Sequence, residues 1–280
     1  MRCFIFVVFL SSVAAWSEPF RPWLIAAYGD TTNQTDRYQM GNDNTVIDIY
    51  TNLMWESGFL NVSTINLANK NCVSLFKNGY SDWRVPTVHE IQSLLDYVNA
   101  PGINEDYFTS LPSNESVLVT SSSSLQPTDL VLVVQQQTRS ISSQYPPDMN
   151  VRCVRGPQRT APLDRYTKFQ YADKNFVKDQ ATGIGWMTES SAIWFCDQAV
   201  DLSQVWTPTI KALFSLFNQS NSPLIDEAVF SLPSMLYLGS STPVAGENGY
   251  LWAIDGSTGL FQTVPLLGPA MAYCATVQLD

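Results

Sequence analysis

The order of short motifs between Thr45 and Arg155 recurs between Phe176 and Cys274, which limits the chain to folds that can be built twice. Asp179, Thr182 and Trp186 stand where Asp48, Thr51 and Trp55 stand in the earlier stretch. Cys196 answers Cys72, Pro208-Thr209 answers Pro86-Thr87, and Leu213, Leu216 and Phe217 answer Ile91, Leu94 and Leu95. Further on, Ile225-Asp226-Glu227 with Phe230 answers Ile103-Asn104-Glu105 with Phe108, and Ser240-Ser241 answers Ser121-Ser122. The run 250–254 answers 130–134, and Cys274 answers Cys153. So many matches in one order point to an internal duplication, with units at 41–156 and 169–280 and a linker at 157–168.

Each unit reads as a hairpin, two helices and several strands. The turn cluster Gly41-Asn42-Asp43-Asn44 leads into the β-rich run 45–50, and a turn at Thr51-Asn52 leads into Leu53-Met54-Trp55, a hairpin pattern. Ile65, Ala68, Cys72, Leu75 and Phe76 recur at helical spacing behind Ser63-Thr64, which predicts a first helix. Thr87 and Glu90 form the T-x-x-E pattern in which each side chain accepts a hydrogen bond from an orphan amide of a helix start. Val88, Ile91, Leu94, Leu95 and Val98 then give one apolar face, so a second helix is expected over 88–98. Strands are expected at 117–120, 129–135 and 150–155.

The first 15 residues, with Arg2, an apolar run from Phe4 to Leu10 and the small residues Val13-Ala14-Ala15, read as a signal peptide. Residues 16–40, broken by Pro19, Pro22 and Gly29, read as an N-terminal extension. No later run approaches the length of a membrane span. The mature chain is expected to be secreted, periplasmic or on the cell surface, with its oligomeric state open. Cys3 falls in the leader, leaving Cys72, Cys153, Cys196 and Cys274. An even number in an exported chain points to disulfides, and two cysteines per unit favour Cys72 with Cys153 and Cys196 with Cys274. A formal charge of −10 gives an acidic field that repels polyanions, so nucleic acid is not an expected partner. The basic group Arg152, Arg155, Arg159, Arg165 and Lys168 reads as structural arginines and linker solubility.

Catalytic patterns are thin. His89 is the one histidine, it lies in the first turn of the expected second helix, and no G-x-S-x-G accompanies it; a surface position is expected. Neither unit offers a spare thiol, so no catalytic residue and no metal ligand is assigned. The pairs Glu105-Asp106 and Asp226-Glu227 keep open a hydrolase that works through loop carboxylates. Calcium is considered at Gln126-Pro127-Thr128-Asp129, but its expected partner segment is missing, so no cofactor is assigned. Trp55, Trp83, Trp186 and Trp206 sit at element boundaries and read as core residues. Ligand contact is expected in the loops 121–129 and 242–248, through Gln126, Asp129, Glu247 and Asn248. Asn33, Asn61, Asn114 and Asn218 stand in N-x-S/T sequons.

Val46-Ile47-Asp48 with Leu53-Met54-Trp55, the run Gly79-Tyr80-Ser81-Asp82-Trp83-Arg84-Val85-Pro86-Thr87, Thr120-Ser121-Ser122 and Val151-Arg152-Cys153-Val154-Arg155 together resemble the Lcl C-terminal domain, named after a collagen-like adhesin. The resemblance covers the first unit nearly end to end and the second loosely. It implies an α+β fold of two tandem C-type-lectin-like modules, each with two helices packed on short, mostly antiparallel β-sheets. It also implies an exported adhesion or binding protein whose partner is a glycan or a cell-surface or matrix ligand. The adhesin's sulfated glycosaminoglycan is not carried over, because this chain is acidic and has no Gly-X-Y repeat. The second unit departs from the pattern: Trp206, Tyr273 and Thr276 stand at the places of Arg84, Arg152 and Arg155. The three arginines are therefore expected to form one structural network in the first unit. The expected function is non-catalytic binding, with a carboxylate-dependent hydrolase or a purely structural surface protein as alternatives.

Overall fold

A computed structural model describes residues 36–99, 102–112, 116–123, 131–135, 139–143, 149–158, 164–171, 173–192, 196, 205–218, 224–231, 237–266, 268 and 270–277. The expected leader, Gln126, Asp129, Asn33 and Asn114 lie outside these residues.

In the first half, β1 (Tyr38–Met40) pairs antiparallel with β2 (Thr45–Asp48), and β2 with β3 (Leu53–Glu56) in a register that sets Val46 opposite Trp55. Asn52 takes the left-handed conformation at φ 54° in the expected turn, one that asparagine tolerates. Next come β4 (Leu60–Val62) and α1 (Ile65–Val73), where the Thr64 side chain accepts from Leu67 N. Thr87 and Glu90 form the full capping box at the start of α2 (Val88–Leu94). The half closes with β5 (Val117–Ser123), β6 (Val131–Gln135), β7 (Ser140–Ser143), β8 (Met149–Val151) and β9 (Val154–Arg155).

Both helices are shorter than their apolar spacing suggests. After α2, Asp96 Oδ1 accepts from the amides of Val98 and Asn99 at 3.0 and 2.8 Å, a local turn that competes with further helix. After α1 the chain turns at Asn78 and Gly79, both at positive φ, and leaves Phe76 74% exposed.

The first-half strands form two sheets, β1-β2-β3-β9 and β4-β8-β5-β6-β7. They separate because the chain breaks between Glu56 and Leu60, and the buried Arg152 fills the break. Its guanidinium donates to Glu56 O at 3.1 Å, to Ser57 O and to Thr109 O at 2.6 Å.

In the second half, β10 (Tyr166–Tyr171), β11 (Lys174–Asp179) and β12 (Ile184–Ala192) form a meander. β13 (Val205–Trp206) and α3 (Ile210–Phe214) follow, then β14 (Tyr237–Pro243), β15 (Tyr250–Asp255), β16 (Phe261–Pro265) and β17 (Met271–Val277). Here β12 pairs with β17 through a register shift between Trp186 and Ser190, where the first-half strands break. One eight-stranded sheet results. Tyr273 takes the place of Arg152 and its hydroxyl donates to Ser231 O at 2.8 Å. One neutral donor suffices where the strand continues through a bulge.

The molecule is mostly β with few and short helices; the first half carries the two expected ones, α1 and α2. In the second half α3 is the counterpart of α2, and of the expected first helix only Cys196 lies among the described residues. Both disulfides pair as expected, Cys72 with Cys153 and Cys196 with Cys274.

Contacts recur pair by pair between the halves. Arg37 forks onto Asp48 at 3.1 and 2.6 Å and donates to Ser93 O; Arg165 forks onto Asp179 at 2.9 and 2.7 Å and donates to Ser215 O. Tyr38 meets Phe108 edge to face at 5.1 Å, and Tyr166 meets Phe230 at 5.3 Å. Ser121 N donates to Pro86 O and Ser241 N to Pro208 O, so Ser241 matches Ser121 and the expected alignment of Ser240-Ser241 on Ser121-Ser122 moves by one residue. Two of these elements fall outside the expected units: β1 lies in the segment read as an extension, and Arg165 with the start of β10 in the segment read as a linker.

One buried cluster runs through both halves. Tyr97 lies edge-on to Trp252 at 5.7 Å and 5.8 Å from Phe261, and His89 lies 4.5 Å from Phe214. The halves therefore share apolar core along α2 and α3.

Candidate functional site

An open cleft of about 420 Å³ lies against the free end of the β10–β11 hairpin. Opposed residues of an antiparallel ribbon share a face, so the pairs Lys168 with Val177 and Gln170 with Asn175 fall on one face. Val177 enters the shared core, whereas Lys168, Gln170 and Asn175 are exposed and line the cleft. Phe169 lines it from the ribbon's other residue set and stacks on Phe176 at 5.5 Å. Gly185 permits this packing, since a Cβ there would come within 3.1 Å of Phe169 Cζ. Thr188 of β12 and Val229 of the turn before Phe230 complete the wall.

The polar atoms of the cleft are only lightly committed. Gln170 Nε2 donates to Asn175 Oδ1 at 3.4 Å, and Thr188 Oγ1 to Asn175 O at 3.4 Å. Gln170 Oε1 and Asn175 Nδ2 keep no partner among the described residues, and neither does the Lys168 ammonium. Burial holds the neighbouring Tyr166 phenol above its usual pKa, with Asp179 and Asp226 adding to the effect and Arg165 opposing it, so that hydroxyl stays protonated at neutral pH. The cleft thus offers amide donors and acceptors, a hydroxyl and one cation beside an apolar surface.

The residues expected to contact ligand are placed differently. Glu247 and Asn248 sit exposed on the tight turn from β14 to β15, where Glu247 N donates to Val244 O and both Gly246 and Gly249 take positive φ. That turn projects, and the described cleft lies elsewhere. The cleft residues were missed because only the stretch from Phe176 onward was matched to the first-half hairpin, which left 169–175 without a reading and Lys168 in the linker. A signal was available: Lys168, Lys174 and Lys178 are three of the six lysines in the chain.

The remaining candidates take structural places. Arg152 is fully buried, and that burial brings its pKa down to about 10 with the charge of Glu56 opposing the shift. Arg84 forks onto Glu90 at 2.8 and 2.6 Å and reaches Gly156 O. Arg155 forks onto Asp82 and lies 3.6 Å over the Tyr80 ring. The three arginines have separate partners, which replaces the expected single network. His89 is half-buried rather than exposed: its ring packs against Phe214 of α3, and burial with the nearby Arg165 charge brings its pKa down to about 3, opposed by its bond to the Phe217 backbone.

Among the carboxylates, Asp226 Oδ1 accepts from Ala228 N and Glu105 Oε1 from Ser110 Oγ. Among the described residues no group of three or more His, Cys, Asp or Glu could hold a metal ion. Trp55, Trp83 and Trp186 are buried and Trp206 packs on the core. Of the sequons, Asn61 is exposed on β4, with its amide 3.4 Å from Asn150 Oδ1, and Asn218 is half-buried.

Residues 44–155 match the model of the Lcl C-terminal domain, so this match covers the first half and ends at β9. No curated protein and no solved structure matches the chain. No helix among the described residues is long and apolar enough to cross a membrane.

Proposed function

We propose that the chain is an exported, non-catalytic binding protein built from two copies of the Lcl C-terminal domain, the second divergent, which recognises glycans on a cell surface or in a matrix. The family match over 44–155 supports the first copy. The paired clamps Arg37–Asp48 and Arg165–Asp179 support the second. The unit boundaries then fall at Arg37 and Arg165. Two disulfides and the leader pattern support export.

The cleft carries the binding reading. A polyhydroxylated ligand needs several donors and acceptors over an apolar wall, and Gln170, Asn175 and Thr188 beside Val229 supply them. The test is a glycan array probed with the mature, oxidised protein, with and without a chelator. Saturable binding that survives chelation is expected; silence across the array would leave a structural surface protein as the better reading.

A further inference from the structure

Tyr107 and Val229 hold the same place in matching turns. Tyr107 N donates to Asn104 O at 3.2 Å and Val229 N to Asp226 O at 3.0 Å, each followed by a buried phenylalanine. In the first half the Tyr107 ring packs 5.5 Å from Tyr38. In the second half a valine stands there, lining the cleft, and the ring volume is missing. The hairpin differs as well, since β1 stops at Met40 while β10 runs from Tyr166 past Lys168 to Tyr171. A small residue at 229 and three more residues of strand together make the cleft, and they place Lys168 where the first half has Met40.

We propose that this cleft binds a saccharide unit bearing a carboxylate, with Lys168 meeting the carboxylate, Gln170, Asn175 and Thr188 meeting ring hydroxyls, and Val229 and Phe169 facing the apolar side of the ring. This rests on the saccharide-binding reading above. Its volume, about 420 Å³, falls within the range of small-ligand pockets, roughly 300–1,000 Å³. Electrostatics favours an acid at this cleft. The chain carries a net −10, so an anion is drawn only to a local cation, and most of the described arginines are already committed to carboxylates or carbonyls. Lys168 has no such partner among the described residues and stands at the cleft. Lys174 and Lys178, on the other residue set of the same hairpin, add to the local positive field, which the exposed Asp173 in the hairpin turn offsets in part.

The experiment is titration calorimetry of the mature, oxidised protein with tri-galacturonate, a hyaluronan tetrasaccharide and sialyllactose, against galactotriose and lactose. At least one acidic probe is expected to bind about tenfold or more tightly than the neutral ones, with an advantage that shrinks as salt is raised. Val229→Tyr restores the first-half ring, and binding should be lost with the melting temperature kept. Lys168→Met should weaken the acidic probe about tenfold and remove its salt-dependent advantage over the neutral sugars. Should Val229→Tyr not fold, the exposed double variant Gln170→Ala/Asn175→Ala should lose binding in its place. Equal binding of neutral and acidic probes, abolished by filling the cleft, would overturn the carboxylate assignment and leave saccharide binding standing. Undiminished binding to Val229→Tyr would overturn the site. Absence of binding to every probe here and on the array would overturn both readings.

Discussion

Arg37 and Arg165 perform one task in their two halves: each clamps a hairpin aspartate and a carbonyl near the end of the helix that packs on it. The planar guanidinium can do both at once because its donors fork. The tripeptide Asp-Arg-Tyr carries each clamp arginine, at 36–38 and 164–166, so the clamp was legible in the sequence. It was passed over because those residues lie ahead of the first expected strand. Arg84 illustrates the opposite case, a clamp present in one half only. It neutralises Glu90, which is nearly buried and also caps α2, whereas the second half has Trp206 and Ala212 at those places. Arg84→Ala should therefore destabilise the protein by about 2–3 kcal/mol in denaturant titration, because it strands a buried carboxylate. Adding Glu90→Ala should recover part of that loss. An Arg84→Ala variant as stable as the parent would remove the structural role of this arginine.

At the scale of elements, hairpin alternation, caps and cysteine pairing could be read from the chain because each depends on neighbours within a few residues or on a count. The first-half sheet split could not, since it depends on Arg152 reaching carbonyls at Glu56 and Thr109. Nor could the cleft, which needs the knowledge that residue 107 packs on residue 38 before the change to Val229 means anything. The surface reading of His89 failed for the same reason, because its neighbours on α3 are more than a hundred residues away. Its packing has a consequence for pH. The unfolded chain takes up a proton at His89 below about pH 6.5, while the folded one resists until about pH 3. The unfolded state thus binds more protons in that window, and folding stability falls as pH drops through it, by at most about 1.4 kcal/mol per unit. Comparing His89→Gln with the parent between pH 7 and 4 should show a smaller acid loss in the variant. Parallel curves would mean that His89 titrates normally.

Across the whole molecule, the two halves bury their helix faces against one another, with Tyr97 on Trp252 and Phe261 at the join. The same join leaves the free end of the β10–β11 hairpin outside the shared core. The free end of that hairpin has room to diverge, and the cleft sits there. In the proposed reading, binding belongs to this cleft and not to the exposed turn that carries Glu247 and Asn248. Hydrogen exchange of the mature protein, with and without a saturating saccharide from the panel above, separates the two directly. Protection confined to residues 168–176, 188 and 229 is predicted. Protection at 244–250 with none along the hairpin would contradict it.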